Sequence, residues 1–170
     1  MGDRTLKEQI GKRHPFDTTA QETHVNLLRT ASNLMGPFHA LFKQHKLTDA
    51  SFNTLRILRG HHSEGELEGV RASLIGREMV VRVPDVTRIV DRLVTMGLAE
   101  RRACSTDRRV VHVGITELGL ELLRRLDGPV NDLHQQTLGH MSERELEQLN
   151  TLLEKARASV EDSEESDHAP

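Results

Sequence analysis

Apolar residues fall into helix-spaced stripes along most of this chain, and the pattern changes over one stretch, from Arg82 to Gly119. There Val86, Ile89, Val90 and Leu93 stand at i, i+3, i+4 and i+7, one stripe of a short helix. Pro84 suits the first helical position, Asp85 the positively polarised first turn, and Gly97 a left-handed C-terminal cap. The spacing predicts a helix from Pro84 to Met96 whose outer face carries Asp85, Thr87, Arg88, Asp91 and Arg92. Leu98 to Arg102 and Val110 to Ile115 then read as strands, the second with Val111, Val113 and Ile115 inward and His112 and Gly114 outward. Between them, Ala103 to Arg109 closes in a cationic tip, Asp107-Arg108-Arg109. A charged-faced helix followed by a hairpin with an arginine tip is the plan of a winged helix-turn-helix. The expected fold is mainly α with a small β-hairpin wing, and the expected activity is DNA binding.

The flanks are helical in pattern. Residues 1–17, with Gly11 and Pro15, read as a loose arm or a short partial helix. A long helix is expected over 18–47, starting at Thr18 or Thr19, with Glu22 in capping-box spacing after Thr19. Val25, Leu28, Leu34, Met35, Phe38, Leu41 and Phe42 form its stripe, and Gly36-Pro37 should kink or break it. Thr48 or Asp49 caps the next helix, whose core side is Phe52, Leu55, Ile57 and Leu58. His61 to Gly69 reads as a solvent loop, and Val70 to Val80 as the first helix of the helix-turn-helix. Thr116 caps a leucine-rich helix interrupted at Gly128-Pro129, and Ser142 with Glu145 is a capping box opening a last helix to about Val160. Residues 161–170 are small and acidic, expected as a disordered tail. The winged region at 48–115 is too small to cover the leucines of 18–47 and 116–160, so a two-fold homodimer through these terminal helices is expected. Such a dimer also spaces two reading heads along duplex DNA.

Charge sharpens this picture. The chain of 170 residues carries a net charge of −3, yet residues 71–113 hold nine arginines against five acids, a local +4. The tail 161–170 holds −5. Segregation of this kind steers a phosphate backbone to one face. Four phenylalanines with no tyrosine or tryptophan argue against stacking platforms for single strands or RNA. No transmembrane run and no signal-peptide core are seen, so a cytoplasmic chain is expected. Cys104 is the single cysteine and excludes an internal disulfide framework. No Ser-His-Asp grouping, glycine-rich phosphate loop or metal quartet speaks for an enzyme or a cofactor.

Each candidate residue has a plainer alternative. Arg109 on a thin hairpin can enter a narrow minor groove, or simply pair with Asp107 in solvent. Arg88 is placed for bidentate bonding to guanine, or for pairing along its own helix. Thr87 could touch a thymine methyl or a phosphate, while Asp85 and Asp91 orient arginines. Arg82, Arg92, Arg101, Arg102 and Arg108 suit phosphate contacts, and Thr48 and Ser73 stand at helix starts that could reach phosphate. Arg101 and Arg102 would favour a Cys104 thiolate, a redox reading weighed against an incidental thiol. His39, His45, His61, His62 and His112 lack the spacing of a strong metal site. Asn33, Phe38, Phe42 and Phe52 could line an effector pocket or be plain core. A winged-helix module that binds protein without DNA is the other class consistent with the acidic balance.

In combination, four segments resemble the MarR family of bacterial transcription regulators. They are Val86-Thr87-Arg88-Ile89-Val90-Asp91-Arg92-Leu93, Gly97-Leu98-Ala99-Glu100-Arg101, Asp107-Arg108-Arg109, and Val111-His112-Val113-Gly114-Ile115-Thr116-Glu117-Leu118-Gly119. The resemblance implies a homodimer interlocked by its terminal helices, a pseudo-palindromic operator, and helix Pro84 to Met96 in the major groove. It implies that Arg109 enters the minor groove with Asp107 orienting it. It also implies release from DNA by a small aromatic or anionic effector, by thiol oxidation or by a metal. The family's peroxide-sensing branch keeps its cysteine in the first helix, unlike Cys104.

Overall fold

The computed structural model describes residues 4–66, 68–103 and 110–166, with side chains through residue 158. It divides into two compact units, 1–130 and 131–170. The first unit opens with α1 (Leu6–Gln9), whose Thr5 and Glu8 form a reciprocal capping box. The long α2 (Thr19–Gln44) follows, then α3 (Asp49–Ser63), β1 (Val70–Arg71), α4 (Ala72–Glu78) and α5 (Val86–Thr95). The hairpin β2 (Ala99–Ala103) and β3 (Val111–Ile115) leads into α6 (Glu117–Leu138). The antiparallel sheet has the order β1-β3-β2, with Val70 opposite Val113 and Arg101 opposite Val113 on the other side.

The core gathers one apolar stripe from each element. Leu55, Ile75, Val90, Leu93, Leu123 and Leu126 are all at 0% exposure, so every helix of the winged region is pinned by at least one side chain. Each such side chain contributes roughly 1.5–3 kcal/mol by leaving water. Thr48 caps α3 by accepting from Ser51 N–H at 3.1 Å, and Thr18 caps α2 by accepting from Gln21 N–H at 3.1 Å. The α2 cap is thus Thr18 with Gln21, one residue ahead of the Thr19–Glu22 spacing.

Several expectations are corrected. Pro37 and Pro129 lie inside unbroken helices. An interior proline costs about 3 kcal/mol, and burial of Phe38 and Phe42 just beyond Pro37 offsets that. Val70 and Arg71 form a strand, not the start of a helix; α4 begins only at Ala72 and its N-cap Arg71 makes no side-chain cap bond. Ser73 therefore caps nothing. Gly69 permits this strand: it has φ +87°, and a Cβ there would lie 2.2 Å from the Val113 carbonyl oxygen. Val111 faces out, 49% exposed; it sits opposite Ala103 at the loop end of the hairpin, farthest from the core. Gly114 is buried instead, roofed by the Arg102 guanidinium.

In the second unit α7 (Glu143–Ser166) follows the end of α6. Ser142 and Glu145 form the capping box foreseen for it, with the Ser142 N–H donating to Glu145 at 2.8 Å. The Ser142 hydroxyl, donating to the same carboxylate at 2.7 Å, and next its backbone N–H hold the Glu145 carboxyl below its ordinary value. The acidic tail is helical as far as Ser166, since an established helix extends by ordering one residue at a time; residues 167–170 lie outside the described residues. Among the described residues, no helix is long and apolar enough to cross a membrane.

Candidate nucleic-acid interface

Burial of Val90 and Leu93 fixes the rotation of α5 and turns Thr87, Arg88, Asp91 and Arg92 outward. The helix begins one or two residues later than its sequence pattern suggests. Asp85 is the N-cap, accepting from the Arg88 backbone N–H at 2.9 Å, and Pro84 lies outside. Gly97 takes φ +71°, the left-handed cap read from its position. Thr116 ties this cap to the next helix, donating to the Gly97 carbonyl at 2.7 Å and accepting from Gly119 N–H at 3.1 Å.

The sequence-derived residues separate into two groups. Thr87 and Arg88 are exposed and their side chains have no partner among the described residues, so both are free to meet a ligand. Three other arginines on or near this face are engaged by the protein. Arg101 pairs with Asp91 at 2.8 Å, joining β2 to the outer face of α5. Arg92 donates to the Lys46 carbonyl at 2.9 Å, where Lys46 turns the chain at φ +58°. Arg102 pairs with Glu100 on its own strand. Arg82 is exposed just ahead of α5. Asp107, Arg108, Arg109 and Cys104 lie outside the described residues.

Of the residues considered for an effector pocket, three are aromatic rings packed on one another. Phe42 and Phe52 stack with ring centroids 4.2 Å apart, and Phe38 lies 6.4 Å from Phe42. These rings are buried against one another as core, while Asn33 is exposed. Among the described residues no cluster of three or more histidine, cysteine or carboxylate groups could hold a metal. His39 pairs with Asp49 at 2.8 Å.

His61, expected in a solvent loop, instead lies in the last turn of α3 and is held between two acids. Its Nε2 is 2.8 Å from Glu78, the last residue of α4. Its Nδ1 is 3.2 Å from Glu66, close enough for ionic attraction but off the axis of a hydrogen bond. The imidazole is therefore raised above its ordinary value, chiefly by the Glu78 hydrogen bond and against some desolvation. The link between α3 and α4 is stabilising while His61 is charged. It is complete below the ordinary histidine value of 6.5 and is lost as pH rises through the raised value. Thermal unfolding followed from pH about 5.5 to 8.5 should show this loss, and Glu78→Gln should flatten that part of the profile. An unchanged profile in Glu78→Gln would refute the link.

A three-helix core carrying an exposed helix α5, a sheet of order β1-β3-β2 and a hairpin behind it defines a winged helix-turn-helix protein. The sequence model of the MarR family matches residues 47–111. A solved MarR transcription factor from Planctomyces limnophilus is 37% identical, covers 82% of this chain and 98% of its own, and has a TM-score of 0.62. The chain belongs to the MarR family of transcription regulators. At 23% identity, the S. aureus MepR–DNA complex covers 85% of this chain and 99% of its own with a TM-score of 0.69, and speaks to the fold. The same holds for Bordetella bronchiseptica BpsR, whose DNA binding is regulated by 6-hydroxynicotinic acid, at 23% identity, 84% and 97% coverage and a TM-score of 0.69.

Proposed function

We propose that the chain is a homodimeric repressor that binds a pseudo-palindromic duplex operator and is released by a small effector. In this reading α5 enters the major groove, with Thr87 and Arg88 at the base edges. Asp107, Arg108 and Arg109 of the wing meet the flanking minor groove, and Arg82 and Arg101 contact phosphate. The observation that carries it is the exposed, unpartnered Thr87–Arg88 pair on a helix whose other face is locked into the core. The concentration of positive charge over 71–113 supports it. The homodimer is supported by large apolar side chains left in water: Leu27, Leu28 and Met35 on α2 in one unit, and Leu152 on α7 in the other.

Selection of bound genomic fragments followed by titration at several salt concentrations tests the proposal. A dimer making 6–10 phosphate contacts should lose roughly 10³–10⁵-fold in affinity between about 50 and 200 mM salt. Sedimentation should find two chains per duplex. A monomeric complex, or affinity indifferent to salt, would overturn it.

A further inference from the structure

Turns at a protein surface are usually built from glycine, asparagine, aspartate or serine, which suit the bend by backbone freedom or by local hydrogen bonds. The turn between α4 and α5 is built otherwise and runs Met79-Val80-Val81-Arg82-Val83-Pro84. Val80 and Val81, at 85% and 70%, are the two most exposed large apolar side chains among the described residues. They are not loose ends. Met79 is buried, and its sulfur accepts from the Thr54 hydroxyl at 3.6 Å. The Val80 N–H donates to the Asn53 side-chain oxygen of α3 at 2.8 Å. The turn is thus fastened to α3 through side chain and backbone while its two valines are held in water. Each forgoes the gain of leaving water, and neither serves the bend or the core.

Their surroundings restrict what can cover them. Arg77 in the last turn of α4, Arg82 in the turn itself and Arg88 in the first turn of α5 are all exposed. The acids of the same stretch are engaged elsewhere. Glu78 holds His61 at 2.8 Å, Asp85 caps α5 through the Arg88 N–H at 2.9 Å, and Asp91 pairs with Arg101 at 2.8 Å. A second copy docked on this patch by two-fold symmetry would set the arginines against their own images. The occupant must be anionic and must still offer apolar groups at its surface. Duplex DNA does both, because its phosphates flank a major groove in which each thymine presents a C5 methyl. Double-stranded RNA does not, since its major groove is too deep and narrow for side chains to read.

We propose that Val80 and Val81 read thymine methyl groups in the major groove, beside the bases met by Thr87 and Arg88. This assignment deepens the function proposed above and rests on it. Arg88 selects by hydrogen bonds, and the valines select by excluding water from a methyl. Each half-site thereby gains a requirement for thymine that no polar contact supplies.

Deoxyuridine is the probe, because it pairs as thymidine does, keeps the same hydrogen-bonding edges and phosphate, and lacks only the methyl. The full chain is titrated on the selected operator with thymines replaced by deoxyuridine, one position at a time in both half-sites. At one or two positions, next to the one that depends on Arg88, affinity should fall roughly fourfold per methyl, hence about fifteenfold with both half-sites changed. The Val80→Ser, Val81→Ser variant should bind the thymine operator at least as weakly as the parent binds the deoxyuridine one. It should also be indifferent to deoxyuridine. That non-additivity separates methyl reading from a structural role, which would weaken both duplexes equally. Both side chains are exposed, so the variant should melt with the parent; should it melt early, Val81→Ser alone carries the same comparison. Tight, salt-dependent binding that ignores deoxyuridine at every position would overturn the valine assignment and leave the repressor standing. Undiminished deoxyuridine sensitivity in the serine variant, or full affinity of that variant for the thymine operator, would overturn it as well. A chain without affinity for any duplex would bring down both readings.

Discussion

Alanine at position 119 should lower the melting temperature, by roughly 2–12 °C, with a corresponding loss in denaturant midpoint. Gly119 is buried in the first turn of α6, and a Cβ there would lie 2.3 Å from the Leu98 carbonyl oxygen and 2.8 Å from the Ile115 side chain. The nearer atom is backbone, at the foot of β2, and cannot rotate aside. Either the helix lifts from the hairpin or the Thr116 bonds to Gly97 and Gly119 open. Overpacking of this kind costs roughly 1–3 kcal/mol, and a chain of this size loses about 2–4 °C per kcal/mol. The same substitution at Gly60, inside α3 with nothing within 4 Å of the added atom, should raise stability slightly. Equal melting temperatures for the two variants would show that the hairpin and α6 are not in the close contact described.

The second large effect concerns DNA. Arg88→Ala should weaken operator binding by roughly 1–3 kcal/mol and relax the base preference at one position in each half-site. Arg109→Ala should cost a similar amount without relaxing that position, because minor-groove insertion reads groove width more than base identity. Arg88 is exposed on the outer face of α5, so Arg88→Ala should leave stability within about 0.5 kcal/mol of the parent. Titration of both variants on the selected operator and on a half-site mutant measures the difference. Full affinity in both would leave the exposed face of α5 without the role assigned to it.

Helix α5 was legible because a single feature determines it. Val86, Ile89, Val90 and Leu93 admit one rotation, and that rotation dictates that Thr87 and Arg88 face away. Its boundaries were less legible, since Asp85 and Pro84 both suit the start of a helix and only the bond from Arg88 N–H to the Asp85 carboxylate decides between them. β1 escaped notice because two residues carry no periodicity; Val70 and Arg71 are a strand only through partners at Val113 and His112, far along the chain. Proline was over-read twice. Local chemistry disfavours Pro37 and Pro129, but flanking side chains such as Phe38 and Val130 bury enough surface to carry the helix through. The outer-face arginines looked alike in sequence. Tertiary partners tell them apart: Asp91 takes Arg101, the Lys46 carbonyl takes Arg92, and Arg88 is left over.

The bond from Arg92 to the Lys46 carbonyl means that α5 takes its bearing from the turn between α2 and α3. A displacement of that turn would carry α5 with it for as long as the bond holds. In mechanical language, the corner at Lys46 would be a fulcrum, and α5 the short arm of the lever that rests on it.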